Sequence, residues 1–579
     1  MTTDKLLEIK DLNVGFDSRQ GFVDAVKSIS FDLFKGEIVG LVGESGSGKS
    51  VASMSILRLL DEKQAKISAA KMSFLQKSGA SFNILEKNET DLSKIRGIEI
   101  GMIFQEPMTS LNPVMRCGDQ VAEGMLVHGL ETRLSSIQKV YNLFEEVGLP
   151  DAKRIYESYP HQLSGGQKQR VMIAMAMACN PSLLIADEPT TALDVTVQKK
   201  ILEVLKQLCQ TKSMAMLFIS HDLNLVRELA DRILVMYKGE IVEQGTAKLI
   251  FENPKHPYTK GLLNCRPPIN KKLKVLPTLA DFMQSEGKIV YENDAKQIPS
   301  DNVIGPAEHE AFLKVIESQA PLLSIQNLTT SFTSSGNFFW NPKKKFKAIQ
   351  EISFNLYKGE VLGLVGESGS GKSTLGRTIC RLIDSESGSI LYNGVELSKF
   401  FETEFRSYRK KIQIIFQDPY ASLNPTMKIG EAILEPMIVH NLNGNRNAQL
   451  AKVYELMESV GLPADSYDKY PHEFSGGQRQ RISIARALSL EPEILICDEC
   501  VSALDVNVQA QVLNLLNELK EKYKLSLLFI THDLSVVRFI CDRVMVMKSG
   551  KLVELGSVEQ VLDNPASEYT KLLLESIPK

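Results

Sequence analysis

Gly43-Glu44-Ser45-Gly46-Ser47-Gly48-Lys49-Ser50 is the stretch that decides the fold of this 579-residue chain. Its pattern is G-x-x-x-x-G-K-S. Glycines let a backbone curl so that successive N–H groups face phosphate oxygens. A helix starting at such a loop adds its positive end to the same anion site. Lys49 is placed to reach the terminal phosphates and Ser50 to hold Mg²⁺. Upstream, Ile38–Val42 is a short apolar run that reads as a buried parallel strand. Downstream, the spacing predicts a helix over Val51–Leu60. Strand, glycine-rich loop and helix in that order indicate an α/β fold.

The same loop returns as Gly366-Glu367-Ser368-Gly369-Ser370-Gly371-Lys372-Ser373, with Thr374 next. Other segments return with it. F-Q-E-P at Phe104–Pro107 is matched by F-Q-D-P at Phe416–Pro419, and L-S-G-G-Q at Leu163–Gln167 by F-S-G-G-Q at Phe474–Gln478. Asp187-Glu188 is matched by Asp498-Glu499, and S-H-D-L at Ser220–Leu223 by T-H-D-L at Thr531–Leu534. The lysines lie 323 residues apart, but the aspartates and the histidines lie 311 apart. The first copy therefore carries about a dozen extra residues, placed in the polar stretch Asp61–Lys94 and expected to form a longer hairpin or loop. The chain is a duplication: one domain over 1–265, a second over 321–579, and a connector over 266–320. The connector has seven Lys/Arg and eight Asp/Glu, and its prolines and polar residues read as a linker with some local structure.

Further strands are expected at Leu183–Ala186 and Met216–Ile219, each ending at a polar pair, and a hairpin over Ile233–Glu243 around Lys238-Gly239. These positions give the polar pairs their chemistry. Asp187 and Asp498, each at a strand end, suit a Mg²⁺-associated carboxylate. Glu188 and Glu499 follow, where a carboxylate can polarise the water that attacks a γ-phosphate. His221 and His532 recur at the same offset and suit a phosphate sensor. Gln105 and Gln417 can orient a water, bind Mg²⁺ or cap a turn.

Composition limits the alternatives. A net charge of −3 argues against broad electrostatic wrapping of nucleic acid and leaves room only for a local basic patch. The run Lys343–Lys345 with Lys347 reads as a solvated hairpin. Met1–Lys10 lacks the apolar core of a secretory signal, and no apolar run approaches the roughly 18 residues needed to span a bilayer. The longest, Val171–Cys179, stops at Asn180-Pro181. Eight irregularly spaced cysteines fit a reducing compartment, and Cys497-x-x-Cys500 reads as two small residues at a buried strand end rather than a redox or zinc pair.

With S-G-G-Q at Ser164, Gly165, Gly166, Gln167 and at Ser475, Gly476, Gly477, Gln478, the set resembles the ABC ATPase family. The resemblance implies two tandem P-loop ATPase domains. Each would have a RecA-like core, an antiparallel β subdomain and a helical signature subdomain. It implies ATP and Mg²⁺ as cofactors, with Gly43–Ser50 facing Ser475–Gly477 and Gly366–Ser373 facing Ser164–Gly166. Ala192–Asp194 and Ala503–Asp505 would be interface D-loops, and Phe22 and Phe346 adenine platforms, with Phe16 and Trp340 as runners-up.

S-L-N-P at Ser110–Pro113 and Ser422–Pro425 narrows the match, as do Y-P-H at Tyr159–His161 and Tyr470–His472, and H-P-Y-T at His256–Thr259 with S-E-Y-T at Ser567–Thr570. These resemble the dipeptide/oligopeptide/nickel importer ATPases. That family implies a peripheral protein at the cytoplasmic face of the inner membrane, two transmembrane permease subunits and an extracytoplasmic substrate-binding protein. Relatives with a cysteine-rich tail can hold an iron–sulfur cluster. Here Cys265 alone follows the first H-P-Y-T and no cysteine follows Tyr569, so no cluster is expected. Relatives often have Pro or Ala after the catalytic glutamate, where the second module has Cys500. The cargo expected is di- or oligopeptide, with nickel or a glutathione-like molecule as alternatives. The rival class is a soluble ABC-type translation factor. The nearly neutral connector argues against it, and no nucleic-acid partner is expected.

Overall fold

A computed structural model describes residues 4–18, 21–105, 110–190, 195–283, 300–333 and 345–576. Pro107, the first A-L-D segment at 192–194, Trp340 and Lys343-Lys344 lie outside the described residues. The chain divides into two units. One runs to Leu263 and takes in the short helix Leu279–Met283; the other comprises Asn264–Thr278 and the described residues from Ser300 onward.

In the first unit, a central sheet orders its strands as Glu240–Thr246, Arg232–Tyr237, Ile38–Val42, Ala215–Ser220, Leu183–Asp187 and Ile100–Ile103. All neighbours pair in parallel except the edge strand Glu240–Thr246. All residues of Ile38–Val42, Leu183–Asp187 and Ala215–Ser220 are buried, which is why these strands read as unbroken apolar runs. A second, antiparallel sheet is built on the long pair Lys5–Ser18 and Gly21–Phe34. Its side chains Leu7, Ile9, Phe31 and Leu33 merge with Val39, Leu41 and Leu217 into one core. A helical subdomain holds Cys117–Val127, Arg133–Glu146 and the signature helix Gly165–Met177, into which the apolar run from Val171 falls.

The second unit repeats this plan. Its central order is Ile412–Ile415, Ile494–Asp498, Ser526–Ile530, Val361–Val365, Arg543–Lys548 and Lys551–Ser557. Its antiparallel sheet pairs Leu323–Thr333 with Lys345–Leu356 and with Ser387–Tyr392. Both units are thus P-loop cores with a β and a helical subdomain, and no helix among the described residues is long and apolar enough to cross a membrane.

One detail differs from the sequence expectations. The first helix runs over Lys49–Ile56 and stops short of Leu60. Arg58 takes a left-handed backbone (φ 48°), and its guanidinium donates to the Lys87 carbonyl at 2.6 Å, turning the chain. The strands Lys71–Leu75 and Ser81–Asn83 and the helix Glu89–Ile95 have counterparts in the second copy, Ser387–Tyr392, Val395–Glu396 and Glu402–Arg409, so the extra residues of the first copy supply the added strand Ala65–Ser68, paired with Lys5–Ser18, and a longer hairpin turn. The connector forms a strand pair, Lys272–Leu273 with Val303–Ile304, and a twelve-residue helix, Pro306–Glu317.

Candidate nucleotide site

Each glycine-rich loop joins a buried strand to a helix whose N-cap is a glycine, Gly48 or Gly371. Their φ values are 101° and 103°, a region L-residues avoid. A Cβ there would also lie 2.5 Å from the Ala25 carbonyl oxygen or 2.4 Å from that of Ala348. The strand pair thus presses against the loop from behind and leaves its curl no room for a side chain.

Inside the loop, Lys49 is 5% exposed and donates to the Gly43 and Glu44 carbonyls, each at 2.8 Å. Lys372 donates likewise to Gly366 and Glu367, at 2.8 and 3.0 Å. The buried hydroxyls of Ser47 and Ser370 have no hydrogen-bond partner among the described residues. An ammonium held in a curl of backbone amides beside orphaned hydroxyls fits a polyphosphate.

The next layer is oxygen. Ser50 Oγ donates to Asp187 Oδ1 at 3.1 Å and Ser373 Oγ to Asp498 Oδ1 at 2.7 Å. Burial lifts both aspartate pKa values, and the serine bonds offset this only in part. Buried carboxylates beside a hydroxyl form a hard, anionic donor set suited to Mg²⁺. No group of three His, Cys, Asp or Glu side chains among the described residues could cage a metal. Mg²⁺ is commonly held by one or two carboxylates, with waters and substrate phosphates completing the octahedron, so these residues fit it.

Glu188 and Glu499 come next, with φ of 47° and 48°. Such a backbone costs about 1–3 kcal/mol and persists where its surroundings enforce it. Here the N–H groups donate to the Ile219 and Ile530 carbonyls at 3.0 Å. The conformation aims each carboxylate between two partners. Gln105 donates to Glu188 at 3.0 Å, and His221 Nδ1 lies 3.1 Å from its other oxygen. Gln417 donates to Glu499 at 2.8 Å, and His532 Nδ1 lies 3.5 Å away. Burial alone would raise Glu499; the His532 ring outweighs it and holds the carboxyl below its ordinary value. His532 is drawn down by burial, yet ends above its usual value because of Glu499.

In each module the structure therefore gathers lysine, serine, aspartate, glutamate, glutamine and histidine around one loop. S-G-G-Q starts a different helix. Ser164 and Ser475 are its N-caps, and Gln167 and Gln478 complete capping boxes, each accepting the serine's own N–H at 3.0 Å. The serines and the first glycines, Gly165 and Gly476, are exposed.

Phe22 and Phe346 are half-exposed or more and lie on the strands that back the loops, Phe22 beneath Lys66 at 5.2 Å and Phe346 opposite Phe332. Phe16 packs on the core. Asp505 stands at the N-cap position of the helix Val506–Tyr523. Cys497 and Cys500 are buried free thiols.

One contact escaped the sequence reading. The Glu44 N–H donates to Tyr258 Oη at 2.9 Å, and the Glu367 N–H to Tyr569 Oη at 3.1 Å. The tyrosines of H-P-Y-T and S-E-Y-T thus brace the two loops from more than 200 residues away. The recurrence of Y-T was the available signal.

Comparison with known families agrees with this geometry. The family model described as "ABC transporter" matches residues 26–191 and 349–502. The chain belongs to the ABC transporter family. It is an ATP-binding ABC subunit whose ATPase is coupled to transport. A second model, "Oligopeptide/dipeptide transporter, C-terminal region", matches 242–289 and 553–579 and places this ABC ATPase on the dipeptide/oligopeptide importer branch. The glutathione import ATP-binding proteins GsiA of Escherichia coli (strain K12) and Shigella dysenteriae serotype 1 are each 44% identical over 573 residues. The alignments cover 99% of this chain and 89% of each relative. Among solved structures, a dimeric post-hydrolysis ATP-binding cassette with ADP and Pi aligns over 41% of this chain and 98% of its own, at 26% identity and a TM-score of 0.37.

Proposed function

We propose that this ABC ATPase drives an importer of small peptides, glutathione among them, through two ATP sites that each use one loop and the opposite module's signature. In that reading residues 1–265 and 321–579 are the two ATPase domains, joined by 266–320. Gly43–Ser50 works with Ser475–Gly477, and Gly366–Ser373 with Ser164–Gly166. Phe22 and Phe346 stack the adenines.

The observation that carries the reading is the glutamate held at positive φ between glutamine and histidine, present in both modules. A carboxylate so fixed can take a proton from a water as it attacks the γ-phosphate. The histidine stands against the carboxylate, on the second oxygen of Glu188 in one module and on the oxygen shared with Gln417 in the other, and can sense the terminal phosphate. Ser50, Asp187 and Gln105 would hold Mg²⁺ in one site, and Ser373, Asp498 and Gln417 in the other. When bound, the ion neutralises phosphate charge. The lysines and loop amides orient the phosphates, so most of the catalysis is positioning and electrostatics.

Two permease subunits in the inner membrane would receive the resulting motion, with the ATPase peripheral on the cytoplasmic face and a binding protein delivering cargo outside. A cavity of about 400 Å³ beside the Gln417 segment supports this, lined by Phe416, Glu435, His440 and Arg486 among others. It lies where the core strand Ile412–Ile415 meets the helical subdomain, a suitable seat for a cytoplasmic permease helix. The cargo proposal rests on the GsiA likeness and the oligopeptide C-terminal regions. Purification of the tagged chain from gently solubilised membranes tests it. Co-purifying permeases and a binding protein that takes up glutathione or short peptides support the reading; recovery with ribosomes alone overturns it.

A further inference from the structure

The connector residues of the second unit converge on one element, the helix Leu534–Ile540. That helix starts next to His532. Its N-cap is Asp533, whose carboxylate accepts the Ser535 N–H at 2.9 Å. Arg266 approaches the same carboxylate, Nη2 to Oδ2, at 3.7 Å. Further along the helix, Arg538 Nε donates to the connector's Ile269 carbonyl at 2.9 Å. Past the last turn, Lys272 donates to the Cys541 carbonyl and lies 3.3 Å from Asp542 Oδ1. His309 completes the cluster, 3.4 Å from Asp542 and 2.9 Å from Glu559. The connector thus grips the helix at its cap, along its length and at its end.

The grip is specific. Lys272 and Asp542 side chains are each 7% exposed, and buried charges are tolerated only in a geometry that pairs them. Every residue of Leu534–Ile540 is buried. The matching helix of the first module, Leu223–Leu229, leaves Arg227 and Glu228 exposed. The sequence follows suit: Glu228 corresponds to Phe539, so an apolar ring stands where the helix is covered. The position 311 residues after Arg266 is Ile577, so the second module's tail has no matching arginine.

We propose that the connector is a strap that positions His532, with Arg266 as its positioning residue, so that turnover at Glu499 depends on the contact between Arg266 and Asp533. The inference rests on the reading of Glu499 as base and His532 as its partner. His532 directly precedes the cap Asp533, so a shift of the cap moves the ring that meets Glu499. The strap's contacts run to Asp533, Arg538, Cys541, Asp542 and Glu559, away from the glycine-rich loop in sequence, so nucleotide affinity is expected to be unaffected.

The test uses the full chain carrying Arg266→Ala, with Arg266→Lys as the conservative control. Amide exchange is measured at 533–541 and, as an internal reference, at 222–230. The strap predicts faster exchange by about tenfold at 533–541 and none at 222–230. It also predicts a kcat reduced to about half or less with KM for ATP unchanged, because one of two sites is misaligned. Arg266→Lys should restore both readouts. Unchanged exchange at 533–541, or faster exchange with kcat intact, overturns the proposal. A Glu188→Gln, Glu499→Gln chain that still hydrolyses ATP would instead remove the base assignment and leave the exchange result to stand by itself.

Discussion

Gln417 donates its side-chain amide to Glu499 at 2.8 Å, and Gln105 does the same to Glu188 at 3.0 Å. Beyond Gln417 the chain runs on to the helical subdomain, so this bond links the carboxylate proposed as the base to that side of the module. Replacing the carboxylate by an amide keeps the shape and removes the proposed base. Glu188→Gln with Glu499→Gln should lower ATP turnover by about 10²–10⁴-fold while ATP binding persists. Steady-state hydrolysis and retention of labelled ATP measure the two halves of that statement.

Gly48 and Gly371 combine a left-handed backbone with a carbonyl oxygen at 2.5 and 2.4 Å from any added Cβ. Gly48→Ala or Gly371→Ala should abolish nucleotide binding at its own site and cost about 1–3 kcal/mol of stability. Gly46→Ala is the contrasting case, since nothing lies within 4 Å of its Cβ; only the φ of 76° opposes it. Fluorescent-nucleotide titration and thermal melts of the three variants should therefore rank Gly46→Ala as the mildest.

The loops, the Asp-Glu pairs and the histidines were legible because their chemistry needs neighbours in sequence: an apolar strand, then the polar group at its end. Ile38–Val42 and Leu183–Asp187 are buried on both faces, so their unbroken apolar runs could be read directly. Contacts between distant residues were not legible. Tyr258 reaches Glu44 across 214 residues, and Lys272 reaches Asp542 across 270. Nothing local marks Lys272 as buried; it stands in a polar connector and owes its burial to a partner on another element. The first helix stopped early for a similar reason: Leu57 keeps the apolar pattern going and is itself buried, but in a turn set by the distant Lys87 carbonyl.

Phe22 and Phe346 are 50% and 64% exposed, more than a core role requires. Each lies two or three residues from the carbonyl, Ala25 or Ala348, that backs the loop glycine. If they stack adenine, Phe22→Ala and Phe346→Ala should each weaken ATP binding at its own site by about 2- to 10-fold and leave the melting temperature nearly unchanged. Tyrosine at either position should retain binding. A drop in stability without loss of affinity would return these rings to a purely structural role.

His309 gives the strap a pH dependence with a definite sign. Around its ring stand Asp542, Glu559, Lys272 and, paired to Asp542 at 3.6 Å, Lys520. Burial alone would lower its pKa, but the hydrogen bonds to Asp542 and Glu559 prevail and set it above the usual 6.5. A histidine raised on folding contributes stability that is complete below its unfolded pKa and is lost as pH rises through the folded value. The two carboxylates are both held low, so they stay charged throughout that window. Amide protection of the helix Pro306–Glu317 should therefore fall as pH rises from about 6.5 upward. His309→Gln should flatten that slope, because it removes the titrating proton and keeps a donor. An equal slope in the variant would mean that another group loosens the strap.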